Sequence, residues 1–339
     1  MYSLYFDFAS GTDLVNAINN QFASVFDLHE PPNTNNFVTH LTDEWFFDVT
    51  EEQVLSEILN YPNNKAPGYD EVPNCLYKAV ANSIAQPLCY IFNLSARSGI
   101  FPTCWKHAKV VALPKCKNPA INDLRPISLL PFCAKIFEKL IFKNSKRMFI
   151  DNFGPHQYGF RFHSSTCNAL ISLHDHITSH CDSKGATGVE VIAFDFSKAF
   201  DKLNHNTILS RLFLCKFPIA LIRWITSYFS NRTQHVCLGN WVSNIAQVTS
   251  GVPQGSILGP AIFALVMGSL QPIHPSSGLF IFADDVTISI PISSHCNNVV
   301  EEFNNVCSWS STVKLSLNDK KSEDAYQLLQ KLFSYYHTN

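Results

Sequence analysis

The chain has 339 residues, of which 46% are hydrophobic and 15% are charged, with a net charge of −2 at pH 7. This composition is typical of globular domains and excludes an intrinsically disordered chain. The N-terminus has no basic flank followed by an apolar region, so no secretion signal is predicted. The longest apolar run, 257–270, is too short to cross a bilayer, and it predicts a buried helix and no membrane span.

Charge is distributed unevenly along the chain. Residues 1–96 carry two Lys and twelve Asp or Glu, whereas residues 97–147 carry eleven Lys or Arg and two acids. A basic block of this size is typical either of a polyanion-binding surface or of a solvated helix face, and charge alone leaves both interpretations open.

Cysteine usage indicates a reducing compartment. The eleven cysteines are scattered, odd in number and without a CxxC pair. This argues against a zinc site or a disulfide framework and favours an intracellular protein of the nucleus or cytoplasm.

The first half of the chain reads as mainly helical. Residues 12–27 have helical apolar spacing, with Thr12 or Asp13 as the N-cap, and 49–62 begins with a Thr50/Gln53 capping box. Apolar spacing and stop signals predict further elements in this half: helices at 74–98, 128–149 and 164–185 and a strand at 107–115.

Strands predominate after residue 185. A strand is predicted at 190–197, a helix at 204–215, and alternating residues with Gly-Pro turns at 235–256. Two strands flank Asp284 and Asp285. The mixture predicts an α+β fold.

Asp284 and Asp285 interrupt the apolar run 278–292. Asp is common in turns because its side chain accepts hydrogen bonds from nearby backbone N–H groups, so a hairpin turn is one interpretation. Asp195 also ends an apolar strand, and carboxylates at neighbouring strand ends repel one another unless a cation lies between them. Mg²⁺ suits such a site, and a pair of ions can promote phosphoryl transfer. Asp195 and Asp284 are then predicted ligands, with Asp285 as a ligand or an outer support.

An ordered set of motifs resembles the reverse transcriptases of non-LTR (LINE-like) retrotransposons. The matching stretches are NNKAPGYDEVP (63–73), WKHAKVVALPK (105–115), LRPISLLPFCAKIFEKL (124–140), QYGFRFHSSTCNAL (157–170), VIAFDFSKAFDKLNHNTILSRL (191–212), SGVPQGSILGPAIFAL (250–265), FADD (282–285) and SLNDKKS (316–322). A single block such as FADD is weak, but the family's order of eight blocks is specific.

The resemblance implies a right-hand polymerase with fingers and palm, its antiparallel palm sheet packed on helices. The implied segments are N-terminal connector helices at 1–62, fingers at 63–185, the catalytic palm at 186–322 and a divergent tail at 323–339. The family's thumb and endonuclease have no counterpart in the sequence, so a truncated element is expected.

The implied activity is RNA-directed DNA synthesis by two-metal nucleotidyl transfer to a primer 3′-hydroxyl. The family's metal ligands correspond to Asp195 and Asp284, with Asp285 as the neighbouring acid. The cofactor is expected to be two Mg²⁺ ions, with Mn²⁺ as a substitute. The implied partners are an RNA template, a DNA primer and dNTPs, with no membrane and no evidence for a protein partner. A catalytically silent nucleic-acid-binding remnant is the alternative function.

The resemblance also implies nucleotide-binding residues. Phe200 corresponds to the aromatic side chain that excludes a 2′-hydroxyl, and ordinary core packing is its alternative role. Gln254 corresponds to the glutamine that contacts the incoming nucleotide and the template, with a surface-loop amide as the alternative. Gly251 and Gly255 flank it and permit close backbone approach.

Three cations complete the implied site. Arg125 corresponds to the arginine that binds the triphosphate, for which a planar, permanently charged guanidinium is suited. Lys115 is expected to contact phosphate. Lys321 corresponds to the lysine that protonates the pyrophosphate leaving group, with Lys320 as the alternative register. A solvated surface side chain is the alternative for each lysine.

Overall fold

The computed structural model describes residues 8–26, 48–183, 186–293 and 298–318. Within these ranges no helix is both long enough and apolar enough to cross a membrane.

The chain divides into two compact units, each assembled from two stretches. Unit 1 comprises Met1–Met148 and Phe200–Gly259, and unit 2 comprises Phe149–Ala199 and Pro260–Asn339.

Helices and strands alternate along the chain in a mixed α+β order, which confirms the predicted class. In chain order they are α1 (Gly11–Ala23), α2 (Glu51–Asn60), α3 (Asn74–Ala79), α4 (Ala81–Ser98), β1 (His107–Pro114), β2 (Leu124–Leu129), α5 (Phe132–Asp151), α6 (Thr166–Cys181), β3 (Ala186–Phe194), α7 (Ala199–Lys202), α8 (His205–Leu214), α9 (Ile219–Phe229), β4 (Arg232–Leu238), β5 (Trp241–Val242), β6 (Ala246–Val248), α10 (Gly259–Met267), β7 (Gly278–Phe282), β8 (Asp285–Ser293) and α11 (Val299–Val313).

The sheet of unit 1 has the strand order β2-β1-β4-β5, with β6 also paired to β4. β1 runs antiparallel to β2 but parallel to β4. α1 covers one face of this sheet, because its buried residues Leu14, Ile18 and Phe22 pack against Val110 and Val236. The opposite face of β1 and β2 therefore carries the alternate side chains, including Arg125.

A second core of unit 1 is aromatic. The Phe137 ring stacks on Phe92 at 4.5 Å between centroids and meets the Trp224 ring edge-on at 5.1 Å. Phe101 meets Trp224 edge-on at 5.3 Å. Aromatic rings bury a large apolar area and prefer these offset or edge-on arrangements, so this cluster fastens α4, α5 and α9 together.

Unit 2 is built on the three-stranded antiparallel sheet β3-β8-β7. α6 packs on all three strands, and the ring of Phe303 in α11 lies 5.6 Å from that of Phe194 in β3. An antiparallel sheet packed on helices was predicted, and this prediction is confirmed.

Local capping signals were partly correct. Thr50 and Gln53 form the predicted capping box at the start of α2, each side chain accepting from the other's backbone N–H. Gly99 ends α4 with a positive φ of 67°, where a side chain would strain the backbone. The cap of α1 is Ser10, whose Oγ accepts from Asp13 N at 3.1 Å, and the prediction of Thr12 or Asp13 was wrong.

Several predicted boundaries were wrong. The helix predicted from residue 128 begins at Phe132, because Ser128 and Leu129 pair with β1 and Pro131 follows. The helix predicted to end at residue 185 ends at Cys181, and residue 185 lies outside the described residues. The strand predicted over 190–197 begins earlier and ends at Phe194, which leaves Asp195 just beyond the sheet.

Candidate active site

The three predicted metal-site acids lie at one end of the strands in the unit 2 sheet. β3 pairs with β8 up to Phe194↔Val286, so Asp195 follows the last pair directly. β7 and β8 form a hairpin closed by the pair Phe282↔Asp285, which leaves Asp284 in the two-residue loop between them. Asp195 and Asp284 are half-buried, and Asp285 is exposed. The predicted turn and the predicted meeting of strand ends are therefore both present.

Gln157 supports the loop that carries Asp284. Its side chain is almost completely buried, and Oε1 accepts from Ala283 N at 3.3 Å and from Gly159 N at 2.8 Å. Tyr158 N also donates to the Ile281 carbonyl at 2.7 Å, so this segment extends the pairing along the free edge of β7. The turn is thus held from outside the hairpin.

The same loop contains a strained residue. Ala283 has a φ of 58°, in the left-handed region that costs a non-glycine residue energy. A Cβ on Gly159 would lie 2.5 Å from Ala283 N, so only glycine permits this approach. Strain held by surrounding contacts is a feature of functional turns.

Asp195 is held by the chain segment that follows α11. Asn318 Nδ2 donates to Asp195 Oδ2 at 2.7 Å, and Asn318 N donates to the Asp195 carbonyl at 2.8 Å. An isolated antiparallel bridge joins Phe196 to Leu317. One carboxylate oxygen of Asp195 is therefore oriented by a neutral amide, as in outer shells of metal sites.

The carboxylate side chains at this end of the strands suit Mg²⁺. Among the described residues no group of three or more His, Cys, Asp or Glu side chains is placed to hold a metal ion. Mg²⁺ usually retains several waters and takes only one or two protein carboxylates, with the remaining ligands from substrate phosphates. Asp195 and Asp284 are the two carboxylates that could bind an ion of this kind. Lys320 and Lys321 lie outside the described residues.

Two of the predicted phosphate contacts lie at the same end of the β1–β2 hairpin of unit 1. Arg125 in β2 is paired with Leu113, and Lys115 follows the end of β1, where its N–H donates to the Asp123 carbonyl at 3.0 Å. Both cationic side chains are exposed. They are thus accessible to an anionic ligand.

Much of the basic block is used inside unit 1. Four of its eleven cations form ion pairs with acids of the preceding segment, and two more, Lys106 and Lys135, are buried. The pairs are Arg97–Asp48, Lys109–Glu71, Lys139–Glu57 and Lys143–Glu57. The polyanion-binding interpretation of the whole block is therefore too broad, and it is retained for the exposed cations at the hairpin end.

Phe200 and the Gln254 loop are joined by backbone hydrogen bonds in unit 1. Val252 N donates to the Phe200 carbonyl and Gly251 N to the Leu203 carbonyl, each at 2.8 Å. A Cβ on Gly251 would lie 2.5 Å from the Asp201 carbonyl oxygen, so the close approach requires glycine. The Phe200 side chain is half-buried. The two segments that carry these predicted nucleotide contacts are thus joined side by side by backbone hydrogen bonds.

The Gln254 loop also lies against β2. Ser128 N donates to the Gln254 carbonyl at 2.7 Å. Gly255 has a φ of 112°, and a Cβ there would lie 2.7 Å from the Ser128 carbonyl. The Gln254 side chain donates from Nε2 to Asp201 Oδ1 at 2.8 Å.

A buried carboxylate anchors the far end of this loop. Glu138 is fully buried, and its carboxylate accepts from the Tyr228 hydroxyl at 2.9 Å and from Ile257 N at 2.7 Å. Burial raises the pKa of Glu138, and these donors and the charge of Arg232 oppose that rise. The loop is therefore fixed by contacts on both sides of Gln254.

Sequence reasoning did not assign roles to four supporting residues: Gln157, Asn318, Asp201 and Glu138. Each lies inside a motif block that the resemblance had already marked. A polar side chain within an otherwise apolar or glycine-rich block was the available signal. The partners of these four residues are distant in sequence, so the sequence did not indicate which residues they contact.

Residues 113–333 match the family described as "Reverse transcriptase (RNA-dependent DNA polymerase)". Three curated relatives are all from Drosophila melanogaster. The probable RNA-directed DNA polymerase from transposon BS is 29% identical over 81% of this chain and 32% of that protein. The RNA-directed DNA polymerase from mobile element jockey is 32% identical over 67% of this chain and 25% of that protein. The probable RNA-directed DNA polymerase from transposon X-element is 29% identical over 82% of this chain and 32% of that protein.

The chain spans about a third or less of the length of these curated relatives. Among solved structures, apo telomerase from Candida tropicalis, truncated from its C-terminal domain, is 13% identical with a TM-score of 0.46. That match covers 71% of this chain and 54% of the telomerase chain.

Proposed function

The chain belongs to the reverse transcriptase family, and we propose that it acts as an RNA-directed DNA polymerase of a non-LTR retrotransposon. The proposed reaction adds dNTPs to a primer 3′-hydroxyl on an RNA template. The observation that carries the proposal is the position of Asp195 and Asp284, which end neighbouring parts of one antiparallel sheet at the same edge.

The carboxylates of Asp195 and Asp284 would hold the divalent metal, and Asp285 would add negative charge beside them. Two Mg²⁺ ions bound there would lower the pKa of the attacking hydroxyl and neutralise charge on the leaving phosphate. Asn318 keeps Asp195 oriented, and Gln157 keeps the Asp284 loop in place. Rigid placement matters because a small misplacement of reacting groups is costly to the rate.

The exposed cations of unit 1 bind the triphosphate. Arg125 grips phosphate oxygens in the bidentate manner of a guanidinium, and Lys115 adds a second positive charge. Phe200 lies against the sugar and excludes a 2′-hydroxyl, and Gln254 contacts the base pair being formed. Lys321, which follows the described part of the chain, is assigned to protonate pyrophosphate.

Primer extension on an RNA template tests this function. Incorporation of dNTPs that requires Mg²⁺ and is lost in Asp284→Asn supports it. Asp175→Asn is the matched control, since it removes the same charge from an exposed position in α6. Absence of synthesis by the folded protein, accompanied by salt-sensitive RNA binding, would instead support the silent nucleic-acid-binding remnant.

A further inference from the structure

The hydrogen-bond partner of the Gln254 side-chain amide determines which end of the amide faces it. Its partner at 2.8 Å is Asp201 Oδ1, and an ionised carboxylate can only accept hydrogen bonds. The amide NH₂ must therefore face Asp201. The amide oxygen is the group left to accept a hydrogen bond from elsewhere.

The Asp201 backbone is fastened to the segment that carries Gln254. Ser250 Oγ donates to the Asp201 carbonyl at 2.9 Å, and the bonds from Gly251 N and Val252 N flank this contact. The carboxylate is therefore presented from a fixed point of the short helix α7. Little conformational entropy is lost when it meets the amide.

The backbone of the Gln254 loop does not depend on the Asp201 carboxylate. Ser128 N holds the Gln254 carbonyl, and Glu138 accepts from Ile257 N and, at 3.4 Å, from Leu258 N. Removal of the Asp201 carboxylate should therefore leave the loop in place. The loss of this carboxylate is instead expected to change the side-chain rotamer of Gln254 and which end of its amide, the NH₂ or the oxygen, faces position 201.

We propose that Asp201 is a positioning residue that fixes the Gln254 amide with its oxygen toward the incoming nucleotide, so that it determines nucleotide affinity without contacting the nucleotide. The inference rests on the proposed polymerase function, because it takes Gln254 as a nucleotide contact. Without Asp201, the amide samples both of its orientations, and one of them presents a donor where an acceptor is needed.

A double-mutant cycle tests the proposal. Asp201→Ala should raise the KM for dNTP about tenfold, with a smaller change in kcat. Gln254→Ala should raise it at least as much, and Asp201→Ala should then add no further change in the Gln254→Ala background. Asp201→Asn should give an intermediate value, because Asn can present either an acceptor or a donor to the amide.

Two controls separate positioning from a general loss of structure. Asp48→Ala removes an exposed carboxylate from the same unit and should leave the KM unchanged. Melting temperatures of all variants show whether Asp201→Ala acts through folding. Independent, multiplying effects of Asp201→Ala and Gln254→Ala would overturn the proposal.

A binding assay keeps the inference separate from the proposed function. A dideoxy-terminated primer on an RNA template blocks chemistry, and the dNTP-dependent stabilisation of that complex reports nucleotide binding. If the wild-type protein binds the nucleotide in an Asp201- and Gln254-dependent manner but does not extend primers, the polymerase function fails while the inference stands. If nucleotide binding is present but insensitive to Asp201, or is absent altogether, the inference fails.

Discussion

Asn318 and Asp195 are joined by two hydrogen bonds, one between side chains at 2.7 Å and one between backbone groups at 2.8 Å, although 123 positions separate them in sequence. The neutral amide donates to a carboxylate oxygen without adding charge to the site. This contact therefore also fixes the position of the other carboxylate oxygen of Asp195. An outer contact of this kind typically changes metal affinity or activity by about 10–100-fold.

Asn318→Ala is therefore expected to raise the Mg²⁺ concentration needed for half-maximal primer extension by roughly tenfold or more. Asn318→Asp should be more harmful, because it places a second negative charge against Asp195. Asn305→Ala is the matched control, since it removes an amide hydrogen bond to the Gln271 carbonyl in the same unit. An unchanged Mg²⁺ requirement in Asn318→Ala would contradict the positioning role.

Asp284→Asn is expected to reduce primer extension by at least about 100-fold while leaving RNA binding intact, because it removes the charge of a proposed metal ligand and keeps the size of the side chain. Rates of single-nucleotide incorporation and filter binding measure the two effects. Similar activity of Asp284→Asn and the Asp175→Asn control would exclude a metal-binding role for Asp284.

Phe200→Ala should admit ribonucleotides. A side chain that fills the space of a 2′-hydroxyl discriminates by steric exclusion, so its loss is expected to lower the preference for dNTP over rNTP by on the order of tenfold or more. Phe213→Ala removes another half-buried ring of unit 1 and controls for a general loss of packing. Equal discrimination in both variants would leave Phe200 as a packing residue.

Glu138 is expected to contribute more to stability than a surface acid. Glu138→Ala leaves the Tyr228 hydroxyl and the Ile257 N–H without their acceptor in a buried site, which should cost roughly 3 kcal/mol in the free energy of unfolding. Glu138→Gln retains an acceptor oxygen and should cost less. Denaturant unfolding measures both, and equal stability of the two variants would show that the hydrogen bonds contribute little.

The His107–His235 pair predicts a pH dependence of stability. His107 Nε2 lies 2.6 Å from His235 Nδ1, so one of these nitrogens must be unprotonated. Burial lowers the pKa of both rings, with His235 adding to the effect on His107 and Lys109 to that on His235. This stabilisation is fully present above the unfolded-state pKa of about 6.5 and is lost as pH falls through the lower folded-state pKa.

The melting temperature should therefore fall as pH decreases from about 7.5 to 5.5. His107→Gln should reduce this slope, because one titrating ring of the pair is gone. His174→Gln, which replaces an exposed histidine of α6, should leave the slope as in the wild type. A slope that is the same in His107→Gln and wild type would show that the pair does not couple folding to protons.

Local patterns were sufficient for much of the fold. The capping box at Thr50 and the terminating Gly99 depend only on neighbours within one helical turn, so they were readable directly. Boundaries failed where a distant strand competed, as at Ser128, whose pairing with β1 overrides helical spacing. Helices α9 and α11 were not predicted, although their apolar faces are buried.

The sequence alone determined the family and indicated the acids that we propose carry the chemistry, because apolar strands that end in Asp195 and Asp284 have a recognisable local pattern and the motif order is specific. Only the tertiary structure decided what holds those residues. Asn318 contacts Asp195, Gln157 contacts Ala283 beside Asp284, and Asp201 contacts Gln254. These residues meet through strand register and glycine contacts. Such contacts depend on close approach between distant segments, which no local period encodes.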